Sequence, residues 1–220
     1  MSAPKLWVVA GPNGAGKTTL TRLHLTGHLP VVNPDDLAAE LDILNRNSPL
    51  VQMRAGRLAL LAREKLLASG HSFAIETTLS GNSEIELMQR ARGQGYQVIL
   101  AFVGVDDVGL LIARVKSRVD DGGHAVPLDA IERRYRRSMD NLGYALQMAD
   151  RAWVFDNRGK RGRRTLLIRE EGRLKYVSSS LPMWAKRAIP TALRRRDRVH
   201  RHKHGLKNFA ADINAPELTR

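Results

Sequence analysis

From Gly11 to Thr18 the chain reads Gly-Pro-Asn-Gly-Ala-Gly-Lys-Thr, which satisfies G-x-x-x-x-G-K-[ST] at every fixed position. Such a loop turns successive backbone N–H groups inward around an anion, and the helix N-terminus behind it adds partial positive charge. The expected nucleotide-binding residues are therefore Gly11, Pro12, Asn13, Gly14, Ala15, Gly16, Lys17, Thr18 and Thr19. Lys17 can reach the β- and γ-phosphates of a nucleoside triphosphate, and the Thr18 hydroxyl can coordinate Mg²⁺. The flanks agree: Leu6–Ala10 is an apolar run of strand type, and Thr19–Leu23 has the composition of opening helical turns. The motif implies a bound nucleoside triphosphate but leaves the reaction open.

Candidates for that reaction follow at the ends of later apolar runs. Asp35 and Asp36 close a short strand after the first helix. In open α/β sheets ligands bind beyond the carboxyl ends of strands, so an acid there can take the proton of an acceptor hydroxyl. The same position suits an N-cap ahead of Leu37, and two adjacent acids allow one of each role. Glu76 ends the next run, with Thr77, Thr78 and Ser80 beside it, a hydrogen-bonding cluster where an acceptor would lie. Asp106 and Asp107 follow the apolar run Gln97–Val105; there an acid either holds Mg²⁺ through water or caps the next helix, and a cap is the expectation. Arg114 and Arg118 share one helix face, Arg133 and Arg137 the next, with Arg134 alongside. Between them "DDGGHAVP" is a glycine-proline loop able to close over a site. Arginines on a closing segment stabilise the charge that spreads over a transferring phosphoryl group, so a lid of about 107–140 is expected.

Strands alternating with helices over the first 150 or so residues must position these groups. Helical patterns cover 48–69, 83–93, 108–119 and 128–149; in the first, Leu50, Met53, Leu58, Leu61, Leu66 and Leu67 can form the apolar face. Strand patterns cover 72–76, 97–105 and 152–155, followed by a hairpin turning at Glu171-Gly172. The expected fold is α/β, a parallel sheet flanked by helices on both faces, with a C-terminal hairpin and a basic tail. The 43% hydrophobic content supports a sizeable core, and no apolar run approaches the roughly 18–20 residues of a membrane span. The N-terminal residues lead straight into a strand with no signal-peptide pattern. The absence of cysteine excludes disulfides, zinc-thiolate sites and cysteine nucleophiles, and suits a cytoplasmic location.

Charge divides the chain. Residues 1–150 carry 17 Lys/Arg against 16 Asp/Glu, whereas residues 151–220 carry 19 against 6. The expected organisation is a catalytic domain over 1–180 and a basic extension over 181–220. Such an extension can bind nucleic-acid phosphates with strong salt dependence. Trp184 and Phe209 are its only aromatics, too few for base stacking along a strand, and the "HRHKH" run at 200–204 reads as incidental to the arginine-rich composition.

In order, "GPNGAGKTT", "VNPDDLA", "FAIETTLSG", "DGGHAVPLDAIERRYRRSMDNL" and "ADRAWVFDN" resemble the zeta toxin family of P-loop kinases over residues 6–157. The resemblance implies a P-loop kinase fold and the use of ATP and Mg²⁺. It also implies transfer of the γ-phosphate to a hydroxyl of a nucleotide sugar such as UDP-N-acetylglucosamine, and an antitoxin protein partner that blocks the nucleotide site. Carried over, Lys17 and Thr18 would bind phosphate and Mg²⁺, Asp35 would be the catalytic base and Glu76 would bind the acceptor, with Asp36, Thr77 and Thr78 around it. Arg118 would be the lid arginine. Where plasmid toxins of the family keep a second lid arginine this sequence has His124, so the second cation is His124, Arg133 or Arg134. The competing reading is a nucleic-acid-acting P-loop protein, a polynucleotide kinase or RNA-binding NTPase, that uses the basic tail.

Overall fold

The computed structural model describes residues 2–159 and 162–195. Seven strands, β1 (Lys5–Ala10), β2 (Val31–Val32), β3 (Phe73–Thr77), β4 (Gln97–Gly104), β5 (Arg151–Asp156), β6 (Arg164–Glu170) and β7 (Arg173–Val177), join in one sheet of order β2-β3-β1-β4-β5-β6-β7. The first five strands in that order are parallel, and β6 and β7 add antiparallel at one side. The expected hairpin is therefore part of the main sheet. Its two-residue turn has positive φ at Glu171 (49°) and Gly172 (73°), the backbone twist that suits a tight hairpin.

The apolar strands are buried on both faces, which is why they read as continuous hydrophobic runs. Leu6, Val8 and Ala10 of β1 point into one core with Phe73, Ile75, Leu100 and Phe102, while Trp7 and Val9 point into the other with Ala101, Val103, Trp153 and Phe155. Helix α1 (Lys17–His24) and α5 (Val108–Asp120) cover the second face through Leu20 and Leu111. Helices α3 (Pro49–Ala68), α4 (Ser83–Gly93) and α6 (Leu128–Met148) cover the first through Ala59, Leu67, Met88, Leu142 and Leu146. The helix that a cap ahead of Leu37 would open, α2 (Pro34–Leu41), follows β2 directly. None of the described helices is long and apolar enough to cross a membrane.

Two expectations are corrected. In α3 only the last of the expected face is buried: Leu67 is in the core with Leu66 packed against it, whereas Leu50, Met53, Leu58 and Leu61 are exposed and Val51, Ala55, Ala59 and Arg63 take the buried positions. Spacing of four selects that stripe, and its small residues let the helix backbone approach its neighbours closely while carrying Arg63 inward. The second correction concerns the segment after Ser180. The chain there forms α7 (Met183–Ala188) and α8 (Thr191–Arg194), and Trp184, Ala185 and Ile189 are core residues. Trp184 packs against Phe102 with ring centroids 6.1 Å apart, in a space that exists because position 104 is glycine: a Cβ there would lie 2.3 Å from the indole. The basic run from 196 onward, with "HRHKH", lies outside the described residues.

This packing makes Trp184 part of the kinase-like core. Trp184→Ala should destabilise the protein by about 3–5 kcal/mol, the usual cost of emptying a buried aromatic site. Urea unfolding of the full-length chain checks it; a loss under about 1 kcal/mol would mean that α7 adds little to the core.

Candidate active site

Because β1 lies between β3 and β4, the glycine loop leaving it sits at the middle of the sheet's carboxyl edge. Gly11 (φ 138°) and Gly14 (φ 75°) have no room for side chains, since a Cβ would lie 2.1 Å from the Val103 carbonyl oxygen and 2.7 Å from that of Leu111. The loop is thus pressed onto β4 and α5. Its outward carbonyls are held: Asn157 Nδ2 donates to Ala15 O (2.8 Å), Arg163 to Gly16 O (3.3 Å) and Lys17 Nζ to Pro12 O (3.0 Å). Helix α1 has Gly16 at its N-cap and no side-chain cap, leaving first-turn N–H groups for an anion.

The loop opens on a cleft of about 560 Å³ that also gathers Asp35, Glu76, Thr77, Thr78, Arg118, His124 and Arg134. Burial pushes the Lys17 amine down from its ordinary value, with Glu76 and Asp35 acting against that shift. Burial pushes the Glu76 carboxyl up, opposed by Lys17 and by hydroxyl donors from Thr18 (2.5 Å) and Thr21 (3.1 Å). Both Glu76 oxygens are therefore engaged by α1, on the phosphate side of the cleft. Thr78 and Ser80 pair through their hydroxyls at 2.9 Å, and Thr77 Oγ1 accepts from Leu79 N at 3.0 Å.

The acids at the start of α2 separate cleanly. Neither caps the helix, because Asn33 does: its Oδ1 accepts from Asp35 N at 3.0 Å and its Nδ2 donates to Asp36 Oδ2 at 3.0 Å. Asp35 lines the cleft, whereas Asp36 is exposed and held by Asn33. Asp107 takes the expected capping role on α5, accepting from Leu110 N at 3.2 Å, and Asp106 pairs with Arg158 at 3.7 Å.

The end of α5 and the loop after it face Asp35. Arg118 Nη1 lies 4.0 Å and His124 Nε2 3.8 Å from its oxygens, and Arg118 Nη2 donates to the His124 carbonyl at 2.7 Å. His124 Nδ1 lies 3.2 Å from Gln52 Nε2 and 2.9 Å from Asn47 Oδ1. Burial holds the imidazole below its ordinary value; Asp35 opposes this, and Arg118, Arg134 and Arg46 reinforce it. The uncharged ring is thus favoured at neutral pH, and His124 is a poor second cation there. Arg133 is not in the cleft at all. It points outward and pairs with Asp129 one turn earlier at 3.0 Å. Arg134 lines the cleft, so of the three candidates only it brings a permanent charge.

Several lining residues were not anticipated: Asn33, Gln52, Arg63, Glu84 and Asn157. Asn33 precedes a proline and two acids, a pattern that signals a cap. Arg63 was findable only by noticing that it continues the Ala55–Ala59 stripe, and Asn157 only by its place just past β5.

The match to known proteins agrees with this geometry. The family model described as Zeta toxin matches residues 1–169. An uncharacterized protein of Haemophilus influenzae is 34% identical over 142 residues, which are 61% of this chain and all of that one. Among solved structures, the AvrRxo1-ORF1:-ORF2 complex with ATP aligns at a TM-score of 0.67 and 18% identity, over 86% of this chain; the chain spans only 64% of that protein's length. The PezAT chromosomal toxin–antitoxin system of Streptococcus pneumoniae aligns at 0.52 and 19% identity, over 76% of this chain and 72% of that one. The Pnkp1/Rnl/Hen1 RNA repair complex aligns at 0.50 and 22% identity, over 63% and 45%. At these identities the structures speak to the fold, and the family match speaks to descent. A family model that spans residues 1–169, over a cleft where the glycine loop meets Asp35, Arg118 and Arg134, shows that this chain belongs to the zeta toxin family.

Proposed function

We propose that the protein transfers the γ-phosphate of ATP to a hydroxyl of a small acceptor, a nucleotide sugar such as UDP-N-acetylglucosamine, and acts as the toxin of a toxin–antitoxin pair. The observation that carries the reading is Asp35, held by the Asn33 cap inside the phosphate cleft and faced by Arg118 of the lid. The glycine loop and Lys17 hold the triphosphate. Asp35 takes the proton of the acceptor hydroxyl as its oxygen bonds to the γ-phosphorus. The bond from that phosphorus to the bridging oxygen breaks, and ADP leaves with the electron pair. Arg118 and Arg134 supply charge where the transferring oxygens need it most, in the transition state. Thr18 and Glu76 fit Mg²⁺: they are hard oxygen donors beside the phosphate loop, and the carboxylate's charge is disfavoured by burial. When bound there, Mg²⁺ neutralises phosphate oxygens. On this reading Glu76 serves the metal side of the cleft more than the acceptor.

A polynucleotide kinase is the second reading, favoured by the excess of 19 basic over 6 acidic residues in 151–220. Incubation of the protein with ATP, Mg²⁺ and, separately, nucleotide sugars, nucleosides or 5′-hydroxyl oligonucleotides decides between them. A nucleotide sugar heavier by one phosphate supports the first reading; an end-labelled oligonucleotide supports the second.

Asp35→Asn keeps the shape of the side chain but cannot take a proton. It should lower kcat by roughly 10²-fold or more and leave ATP affinity nearly unchanged, as judged by turnover and by calorimetric titration. Equal activity would move the base elsewhere.

His124 should behave as a neutral spacer. Its depressed pKa lies below the ordinary value of 6.5, so no activity should be lost as pH rises above 7. His124→Gln should cost less than about tenfold in kcat and leave that plateau in place. A fall in wild-type activity between pH 6 and 8 that disappears in the variant would give the ring a cationic role.

Glu76 carries a stability signature. Its carboxyl pKa is raised on folding, so at pH 7 the ionised group opposes folding, and protonation as pH falls toward its folded value relieves this. Glu76→Gln should therefore raise the melting temperature of the nucleotide-free protein at pH 7 while weakening Mg²⁺-dependent ATP binding. A lowered melting temperature would show that the hydrogen bonds from Thr18 and Thr21 outweigh the burial of charge.

A further inference from the structure

Arg63 and Glu84 line the same cleft, yet the phosphate loop, the base and the lid do not use them. Arg63 comes from the alanine stripe of α3 and Glu84 from the first turn of α4. Arg63 Nη1 donates to Glu84 Oε1 at 3.2 Å, with the residues only 6% and 9% exposed. Arg63 Nε is buried without a hydrogen-bond partner. Taking two charges out of water costs as much as their attraction returns, so apolar residues would join α3 to α4 at least as well. Structural cement does not account for the pair, and still less for the donor left unpaired behind it.

The neighbouring wall narrows what the pair can bind. Thr78, Ser80 and Gln52 line the cleft with uncharged donors and acceptors. The pair itself has no net charge. An anion approaching Arg63 meets Glu84, and a cation approaching Glu84 meets Arg63. A neutral group that accepts at one atom and donates at the next uses both members: an amide, or two neighbouring hydroxyls. Sites built to hydrogen-bond such a group reject acceptors that lack it, because their own buried polar atoms are then left unpaired.

We propose that the Arg63–Glu84 pair is the specificity element of the acceptor site and selects an acceptor bearing a neutral donor–acceptor group, an amide or a vicinal diol. The inference rests on the kinase reading above. Its test is a double variant, Arg63→Met with Glu84→Leu, which fills the space without leaving a lone buried charge; the melting temperature reports that it folds. Wild type and variant are assayed with ATP against UDP-N-acetylglucosamine, UDP-glucose and a 5′-hydroxyl oligonucleotide, and ATP binding is measured by titration. The expected result is an ATP Kd within about twofold of wild type and an acceptor KM raised tenfold or more. A wild-type preference for UDP-N-acetylglucosamine that the variant loses assigns the amide; equal losses on both sugars assign the diol. An unchanged acceptor KM, or a KM that rises only in step with the ATP Kd, overturns the inference while the kinase reading stands. Phosphorylation confined to the oligonucleotide, or no phosphorylation of any member by wild type, overturns both the sugar acceptor and this pair's role.

Discussion

A buried lysine and a buried glutamate at the end of the two central parallel strands set the terms for the rest of this molecule. Lys17 is pushed toward its neutral form and Glu76 toward its protonated form by the same cause, removal from water, and each partly restores the other. Neither would be kept for stability, since paired charges in a low-dielectric site seldom repay their desolvation. The proposed function gives each a use, a polyphosphate for Lys17 and Mg²⁺ for Glu76. The surrounding architecture keeps the two in place. Thr18 and Thr21 of α1 hold the carboxylate, Pro12 O holds the amine, and Asn157 and Arg163, on the connection after β5, hold the loop.

How much of this the sequence discloses depends on whether a group's position is set by local or by distant chain. The glycine loop is local, and its spacing together with the flanking runs Leu6–Ala10 and Thr19–Leu23 forecasts the strand, the turn and the helix. The separation of Asp35 from Asp36 is also local, yet it was left open because the capping competitor, Asn33, was not weighed; one hydrogen bond to Asp35 N decides it. The lid needs two helices to be folded against each other. Sequence could list Arg118, Arg133 and Arg134, but only the phase of α6 turns Arg134 inward and leaves Arg133 to Asp129. Arg63 and Glu84 meet 21 residues apart through the packing of α3 on α4, and no spacing rule brings them together. The misread face of α3 has the same origin: leucines outnumber alanines in that helix, and hydrophobicity was favoured over the small size that close helix packing requires.

One backbone feature links the acceptor wall to the lid. Leu79 has φ 55°, a left-handed conformation that costs a branched residue energy, and it is fully buried. The kink brings the Thr78 and Ser80 hydroxyls together at 2.9 Å on the cleft wall. It is held locally by Thr77 Oγ1 accepting from Leu79 N, and at a distance by Asn141, whose Nδ2 donates to the carbonyls of Leu79 and Gly81 at 3.1 Å each.

Asn141 belongs to α6, two turns beyond Arg134, so the helix that brings Arg134 to the cleft also grips the loop after β3. The other lid helix, α5, is tied to the opposite side: Arg114 donates to Asn157 O at 2.9 Å, and Asn157 in turn holds Ala15 of the glycine loop. The two helices thus grip different parts of the cleft, α5 the glycine loop and α6 the loop after β3. The loop between these helices, 121–127, carries Gly122, Gly123 and His124. The neutral character of His124 suits that place. Its ring is held on the side away from the acid, Nδ1 meeting Gln52 Nε2 at 3.2 Å and Asn47 Oδ1 at 2.9 Å, while Arg118 brings the permanent charge to within 4.0 Å of Asp35.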